Sequence, residues 1–346
     1  MKVNLITENL KESWDDLAGN SVSGSFLQSF TWGDFKKNLG KKVWRLAVVT
    51  DSNFLDKPCS FLAISQVVEE VLFLNFNYLY VPYGPIFQSN LDEASKKEVF
   101  TLLKQELKKI ASQEKSIFVR IEPKESLNFD QDLKYFKDTS LQPLRTLFVD
   151  LKPSISEIMA SFRKETRYDI RLAEKNQIEI RKGKPDDLMI FINLLRETAQ
   201  QHKFNIYSEN YYVSLYHTLI SQNMMEFLIA EKDKQILGGL MGVVFKKTAV
   251  YLFGATASTF KNLGVSYLLL WSFIKIAKEQ GCQALDLWGV GPENDSSHPW
   301  SGFTKFKRGF ATKTAFTVYP GSYFLVTRPL MFQLYLWQKS VRRKRI

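Results

Sequence analysis

Cysteine is nearly absent from this 346-residue chain, which has only Cys59 and Cys282, one in each half. That excludes a disulfide framework and a cysteine-built zinc site, and fits a reducing compartment. Histidine is as scarce: His202, His217 and His298 are too scattered for a metal-ligating group, so no metal is expected. There is no Gly-x-Ser-x-Gly elbow and no candidate Cys–His pair, which leaves acyl-enzyme chemistry without a visible nucleophile. Long apolar runs are missing too, since none reaches the ~18 residues that span a bilayer. Met1 to Asp16 is polar and carries acids, unlike a signal peptide. The expectation is a soluble, cytoplasmic protein.

What the chain does have is apolar material and positive charge. Hydrophobic residues make up 45% and aromatics 14%, which argues for a folded protein, and the length suffices for two cores. A net charge of +11 calls for polyanionic partners: nucleic acid, nucleotide diphosphates or an anionic membrane surface.

Periodicity predicts a helix at about Thr31–Leu39, then β-rich runs at Val43–Thr50, Ser60–Glu69 and Val71–Val81. A helix at about Leu91–Ser112 follows, with an apolar stripe through Val99, Leu102, Leu103, Leu107 and Ile110, then a strand at Ile117–Ile121. The second half repeats the order. Strands are predicted at Met225–Glu231, Ile236–Phe245 and Ala249–Phe253, a helix at about Gly264–Glu279, and a strand at Ala284–Leu287. Between the halves lie a strand at Thr146–Leu151, one basic helix at about Ser154–Asn176, and helices around Asp186–Lys203 and Ser208–Gln222. A strand-like Ala315–Val318 precedes an aromatic, basic tail through Arg345.

Three antiparallel strands, a helix and a strand pairing back resemble the core of the GCN5-related N-acetyltransferase (GNAT) fold. In that fold the helix N-terminus offers unpaired amides and a dipole to a pyrophosphate. The acyl-CoA version carries Arg/Gln-x-x-Gly-x-Gly/Ala. Here Lys261-Asn262-Leu263-Gly264-Val265-Ser266 keeps only the central glycine, which also reads as a plain helix-start glycine. The first half lacks even that between Pro85 and Leu91.

The most informative run is Gly302-Phe303-Thr304-Lys305-Phe306-Lys307-Arg308-Gly309-Phe310, shortly after Gly289-Val290-Gly291-Pro292. A lysine among aromatics and glycines is a fixed ammonium in a partly dry place, suited to a phosphate or to charge developing in acyl transfer. The alternative is an ordinary short helix, apolar on one side and basic on the other. Arg163, Lys164, Arg167, Arg171 and Lys175 fall mostly on one helical side, as a phosphate-binding groove or a solvated face. Glu122, before Pro123 at a strand end, reads as a proton acceptor or as a structural ion-pair partner. The segment Tyr323–Arg345 combines apolar, aromatic and basic residues, for docking onto the first domain or for a membrane surface.

In order along the chain, Phe26-Leu27-Gln28-Ser29 with Trp32 and Lys36, Tyr83-Gly84-Pro85, Arg120-Ile121-Glu122-Pro123 and Thr166-Arg167-Tyr168-Asp169-Ile170-Arg171 resemble the FemABX family. Tyr211-Tyr212, Leu252-Phe253-Gly254-Ala255, Leu287-Trp288-Gly289 and the Gly302 to Phe310 run complete the match over nearly the whole chain. The resemblance implies an α/β (α+β) fold of two GNAT-like domains with mostly antiparallel central sheets. The first would comprise 1–145 plus about 318–346, on the acceptor side, and the second 146–317, on the aminoacyl-tRNA side. The long helical arm of some members is not expected.

The implied activity is transfer of an amino acid from aminoacyl-tRNA to an amine of a lipid-linked or UDP-linked muropeptide, with no cofactor beyond that co-substrate. Lys307 with Phe306 would lie beside the aminoacyl end, and Lys36 with Trp32 on the acceptor's diphosphate. Arg163, Lys164, Arg167 and Arg171 would bind the tRNA. Tyr211 would contact substrate, and Tyr207 stands where relatives have a diphosphate-holding arginine. If the tail takes the membrane-surface alternative and not docking onto the first domain, it would make peripheral contact at the inner face of the membrane. Two rivals stay open: a GNAT acyltransferase using acyl-CoA or an acyl carrier protein on a cell-surface saccharide, and a non-catalytic tRNA- or membrane-binding relative.

Overall fold

The computed structural model describes residues 1–50, 61–72, 76–137, 140–202 and 204–343. Cys59, Ser60, Lys203 and Arg345, with part of the predicted Val71–Val81 strand, lie outside the described residues. The chain divides into two compact units, Met1–Gln142 with Tyr319–Ile346, and Pro143–Val318.

Unit one begins with β1 (Lys2–Leu5), α1 (Lys11–Asn20), α2 (Phe30–Asn38) and β2 (Val43–Val49). It continues with β3 (Ala63–Val71), β4 (Asn77–Pro82), β5 (Ile86–Phe87), α3 (Glu93–Gln113), β6 (Phe118–Glu122) and β7 (Lys134–Phe136). Unit two holds β8 (Arg145–Thr146), β9 (Phe148–Asp150), α4 (Ile155–Ser161), α5 (Lys164–Lys175), β10 (Glu179–Lys182), α6 (Asp187–His202) and α7 (Glu209–Ile220). Then come β11 (Met225–Lys232), β12 (Gln235–Phe245), β13 (Thr248–Thr256), α8 (Val265–Glu279), β14 (Ala284–Asp286), α9 (Ser301–Phe310) and β15 (Thr317–Val318). The chain returns to unit one as β16 (Ser322–Val326) and α10 (Pro329–Arg343).

Both units are built on the predicted order. In unit one β2, β3 and β4 pair antiparallel, α3 crosses over, and β6 pairs parallel with β4. In unit two β11, β12 and β13 pair antiparallel, α8 crosses over, and β14 pairs parallel with β13. A crossover helix is what a parallel neighbour requires. The returning β16 adds antiparallel to β6, so the C-terminal segment completes the first sheet.

Alternation along β6 explains why that sheet is buried on both faces. Val119 and Ile121 join α3 residues Val99, Leu103 and Leu107 in one cluster. Phe118 faces the other way, among Tyr78, Tyr80, Phe324 and Phe332 of α10. Arg120 shares the Phe118 face by the same alternation, with its guanidinium 5.4 Å from the Phe324 ring centre. Glu122, two residues on, neutralises it at 2.7 Å.

Val71 ends β3 and the next strand opens only at Asn77, and two other predicted elements are each split in two. The single basic helix Ser154–Asn176 is two helices, because Phe162 leaves the helical path to pack edge-on against Trp271 and Phe310. The freed Arg163 N–H bonds the Gly309 carbonyl at 2.9 Å. The Thr146–Leu151 strand is also split, β8 pairing with β15 and β9 with β14. In both cases tertiary pairing outweighs local propensity.

The second helix of the broken pair, α5, lies against the start of α8. Gly264 caps α8 in the left-handed region (φ 72), and a Cβ there would sit 2.1 Å from the Asp169 carbonyl oxygen. Gly264→Ala should therefore destabilise the protein by roughly 2 kcal/mol or more, strain and clash together. Gly281→Ala has a similar φ of 83 but open space around it, so it should cost about 1 kcal/mol. Urea denaturation of both variants checks the difference; equal midpoints would mean that the α5–α8 approach is not tight.

Candidate active site

Helix α9 is amphipathic at helical spacing and turns its aromatic side inward. Phe306 and Phe310 pack on Tyr267, at 4.9 and 5.9 Å between ring centres, and Phe310 is 1% exposed. Lys307, between them in sequence, is buried at 9% exposure. Its Nζ donates to the Gly289 carbonyl at 2.7 Å and stands 5.6 Å from the Tyr251 ring centre. Burial pushes the Lys307 ammonium down to about 8, and the Asp286 carboxylate opposes part of that shift. The Tyr251 phenol, also buried, is pushed well above its ordinary range. Lys307 thus remains mostly charged at neutral pH, in a place where water screens it poorly.

The acceptor carbonyl is fixed by the turn that follows β14. Trp288 holds a left-handed backbone (φ 61), rare for a bulky residue, and its N–H bonds Asp286 at 2.7 Å. Thr146 donates to the same carboxylate. Such strain persists only where the surroundings over-determine it. Sequence inspection missed Asp286 and Tyr251. A polar residue ending an apolar strand just before a Trp-Gly pair was the available signal for Asp286; nothing marked Tyr251.

The opposite face of α9 borders an open groove of about 710 Å³, whose lining includes Arg163, Lys305, Arg308, Thr312 and Phe316. Arg308 is committed to Glu293 at 2.8 Å and to the carbonyls of Ala311 and Thr314. Arg163 and Lys305 are exposed.

The predicted basic face is only partly as expected. Arg163 precedes α5 instead of lying within it. Lys164, Arg171 and Lys175 line one exposed side of α5, with Tyr168 63% exposed among them. Arg167 instead folds back onto the end of α4, donating to the carbonyls of Ala160 at 3.1 Å and Phe162 at 2.5 Å. It caps that helix through one terminal nitrogen of its guanidinium.

Tyr207 and Tyr211 are brought together as a parallel stack, 3.9 Å between centres and 11° apart. Tyr207 is 53% exposed and Tyr211 buried. The segment entering this stack is tied to α9, since His202 and Phe204 both pack on Phe303, one turn before Lys307.

In unit one, Lys36 extends over Trp32 and Phe35, 5.7 and 5.9 Å from the ring centres, and pairs with Glu70 at 3.4 Å. Lys41 shares the same carboxylate at 3.1 Å. The buried Trp32 indole N–H has no hydrogen-bond partner among the described residues, which leaves a donor beside this ammonium. Glu122 differs. Its oxygens accept from Arg120, Tyr80 and Ser322 and from the backbone N–H groups of Leu141 and Gln142, all between 2.7 and 3.1 Å. A carboxylate so fully occupied serves as a structural anchor, and the geometry favours the ion-pair reading over the proton acceptor.

Known proteins line up with both units. Residues 10–142 match the FemAB family model, and residues 160–308 match an acetyltransferase (GNAT) domain model. A lipid II:glycine glycyltransferase of Staphylococcus epidermidis is 24% identical, over 86% of this chain and 87% of that one. A protein of the same description from Staphylococcus aureus is 20% identical over the same shares. Among solved structures, FemX superimposes with a TM-score of 0.81 at 19% identity, over 96% of this chain and 99% of that one. Unit one matches the FemAB family model, unit two matches a GNAT domain model, and the fold is that of FemX throughout; the chain is a transferase.

Proposed function

We propose that this protein moves an amino acid from aminoacyl-tRNA to an amine of a peptidoglycan precursor, forming the peptide bond of a cross-bridge. The relatives named as lipid II:glycine glycyltransferases support the acceptor class and the aminoacyl transfer. The observation that carries the mechanism is the buried ammonium of Lys307 on α9.

The chemistry asks for little more. The neutral acceptor amine attacks the ester carbonyl, the C–N bond forms, and the C–O bond to the terminal ribose breaks. The amine's proton leaves to the ribose oxygen or to solvent. Positioning and stabilisation of the oxyanion carry most of the rate, and a poorly screened ammonium supplies the second. Phe306 walls the site. Arg163, Lys164 and Arg171 meet tRNA phosphates, with the groove beside α9 taking the end of the strand. Lys36 turns from Glu70 to the acceptor's diphosphate, where the Trp32 indole N–H adds a donor. Tyr207 and Tyr211 offer a stacking face and phenol donors in place of the family arginine.

The acyl-CoA alternative meets an obstacle in this fold. The Asp169 carbonyl packs against Gly264 at the start of α8, the glycine that the acyl-CoA motif places at the pyrophosphate. The Asp169 side chain is partly desolvated and has Glu165 nearby, which raises its pKa.

The direct test is incubation with a pool of radiolabelled aminoacyl-tRNAs together with lipid-linked and UDP-linked muropeptides. Label should appear in a muropeptide. If acetyl-CoA is the only donor that labels a product, the reading fails.

For Lys307→Met, turnover should fall roughly 10²-fold, the scale of one lost electrostatic donor. Lys307→Arg should not restore it, because the planar guanidinium places its charge differently. The parent should lose activity above about pH 8, and the residual activity of the Met variant should lack that limb. Stability gives an independent sign. The folded-state pKa is depressed, so the charged lysine costs stability below pH 8, and this cost fades as pH rises toward 10.5. The stability difference, Met variant minus parent, should therefore shrink across that window by up to roughly 3 kcal/mol. A difference independent of pH would mean that Lys307 is not held as a desolvated ammonium.

Replacing Arg163, Lys164 and Arg171 together with Gln should weaken tRNA binding and flatten its salt dependence, the logarithmic slope dropping by about 2 to 3. Arg167→Gln alone should lower thermal stability more than it changes that slope. An unchanged slope in the triple variant would return these residues to a solvated face.

A further inference from the structure

The last helix carries two apolar faces, and packing inside unit one accounts for only one of them. Phe332 is fully buried against Phe118 and Phe324, with Met331, Tyr335 and Leu336 packed into the same cluster. Leu330, Leu334 and Trp337 recur at helical spacing on the other side and are 86%, 41% and 64% exposed. Val71, at the end of β3, is also exposed at 57%, and its neighbour Leu72 joins the cluster under α10. Exposed Leu, Leu and Trp in one stripe leave water-facing apolar surface that normally signals an interaction.

The charge around this stripe indicates what covers it. Residues 327–346 contain six Lys or Arg and no Asp or Glu. A second copy meeting the first through α10 would bring two such clusters together, which opposes self-association. An anionic lipid surface is complementary on both counts, taking Leu and Trp into the headgroup boundary and the cations onto its phosphates. Among the described residues no helix is long and apolar enough to cross a membrane, so the contact is one of lying on the surface.

We infer that α10 is an interfacial docking helix that seats unit one on anionic phospholipid through Leu330, Leu334 and Trp337. The inference extends the reading of a lipid-linked acceptor given above, but its test does not depend on that reading. The full-length protein is floated with vesicles of phosphatidylcholine alone, or of phosphatidylcholine mixed with phosphatidylglycerol, neither containing any muropeptide. The protein should float with the anionic vesicles, far less with the neutral ones, and should be released as salt rises. The triple variant Leu330→Ser, Leu334→Ser, Trp337→Ser changes only exposed positions, so it should keep its circular dichroism while vesicle binding weakens at least about tenfold. Transfer to a soluble UDP-linked acceptor should be unchanged in that variant, and transfer to a vesicle-embedded acceptor should fall.

Absence of flotation, or equal flotation of parent and triple variant, would overturn the inference. So would a concentration-dependent dimer that the triple substitution abolishes. If the protein transfers nothing to any muropeptide yet still floats, the proposed activity fails and the docking surface stands.

Discussion

The placement of α5 against two other helices is the constraint on which unit two depends. Both contacts run through glycine. A Cβ at Gly264 would meet the Asp169 carbonyl, and one at Gly309 would lie 2.2 Å from Thr166 Oγ1. Only residues without a side chain let one helix backbone approach the start of α8 and the end of α9 together. The break at Phe162 belongs to the same arrangement, since it frees the Arg163 N–H for the Gly309 carbonyl. Once α5 is seated, the start of α8 is covered, α9 is held by its last turn, and Lys307 is fixed in place. A fold shared with acetyltransferases thereby packs a helix against the glycine that starts α8 and buries a cation on α9.

Two buried charges in this protein have opposite environments, and the contrast separates structure from chemistry. Glu122 is 1% exposed and has five donors, the Arg120 guanidinium among them. Such a group ties β6, β16 and the chain near Gln142 together, and a substrate has no lone pair left to use. Lys307 is 9% exposed, with one carbonyl acceptor at hydrogen-bond distance, an aromatic ring and a more distant carboxylate. A desolvated charge with unused donor capacity costs stability, and the proposed role of Lys307 rests on that environment.

Much of the fold was legible because its signals are local and periodic. The three-strand, helix, strand order of each unit appears as β-rich runs followed by an amphipathic helix, and both survive in the structure. What was not legible depends on partners far away in sequence. Nothing near Phe162 breaks a helix; Trp271 and Phe310 do. Arg167 sits on a basic side by spacing, yet its guanidinium caps α4, because the break leaves carbonyls at Ala160 and Phe162 without helical partners. The candidate site shows the same division. Lys307 stood out by its aromatic neighbours in sequence, whereas Tyr251 and Asp286 reach it only through the sheet.

The stack of Tyr207 on Tyr211 offers phenols, which donate hydrogen bonds but bring no charge. In unit one, Lys36 and Lys41 share Glu70, which leaves that cluster one net positive charge. At 3.4 Å, the Lys36–Glu70 pair is longer than the Lys41–Glu70 pair at 3.1 Å. A diphosphate drawing Lys36 away leaves Glu70 with Lys41, so no carboxylate is stranded by the exchange. Trp32 and Phe35 lie beneath the Lys36 ammonium, a support that does not depend on Glu70 and on which its proposed acceptor role rests.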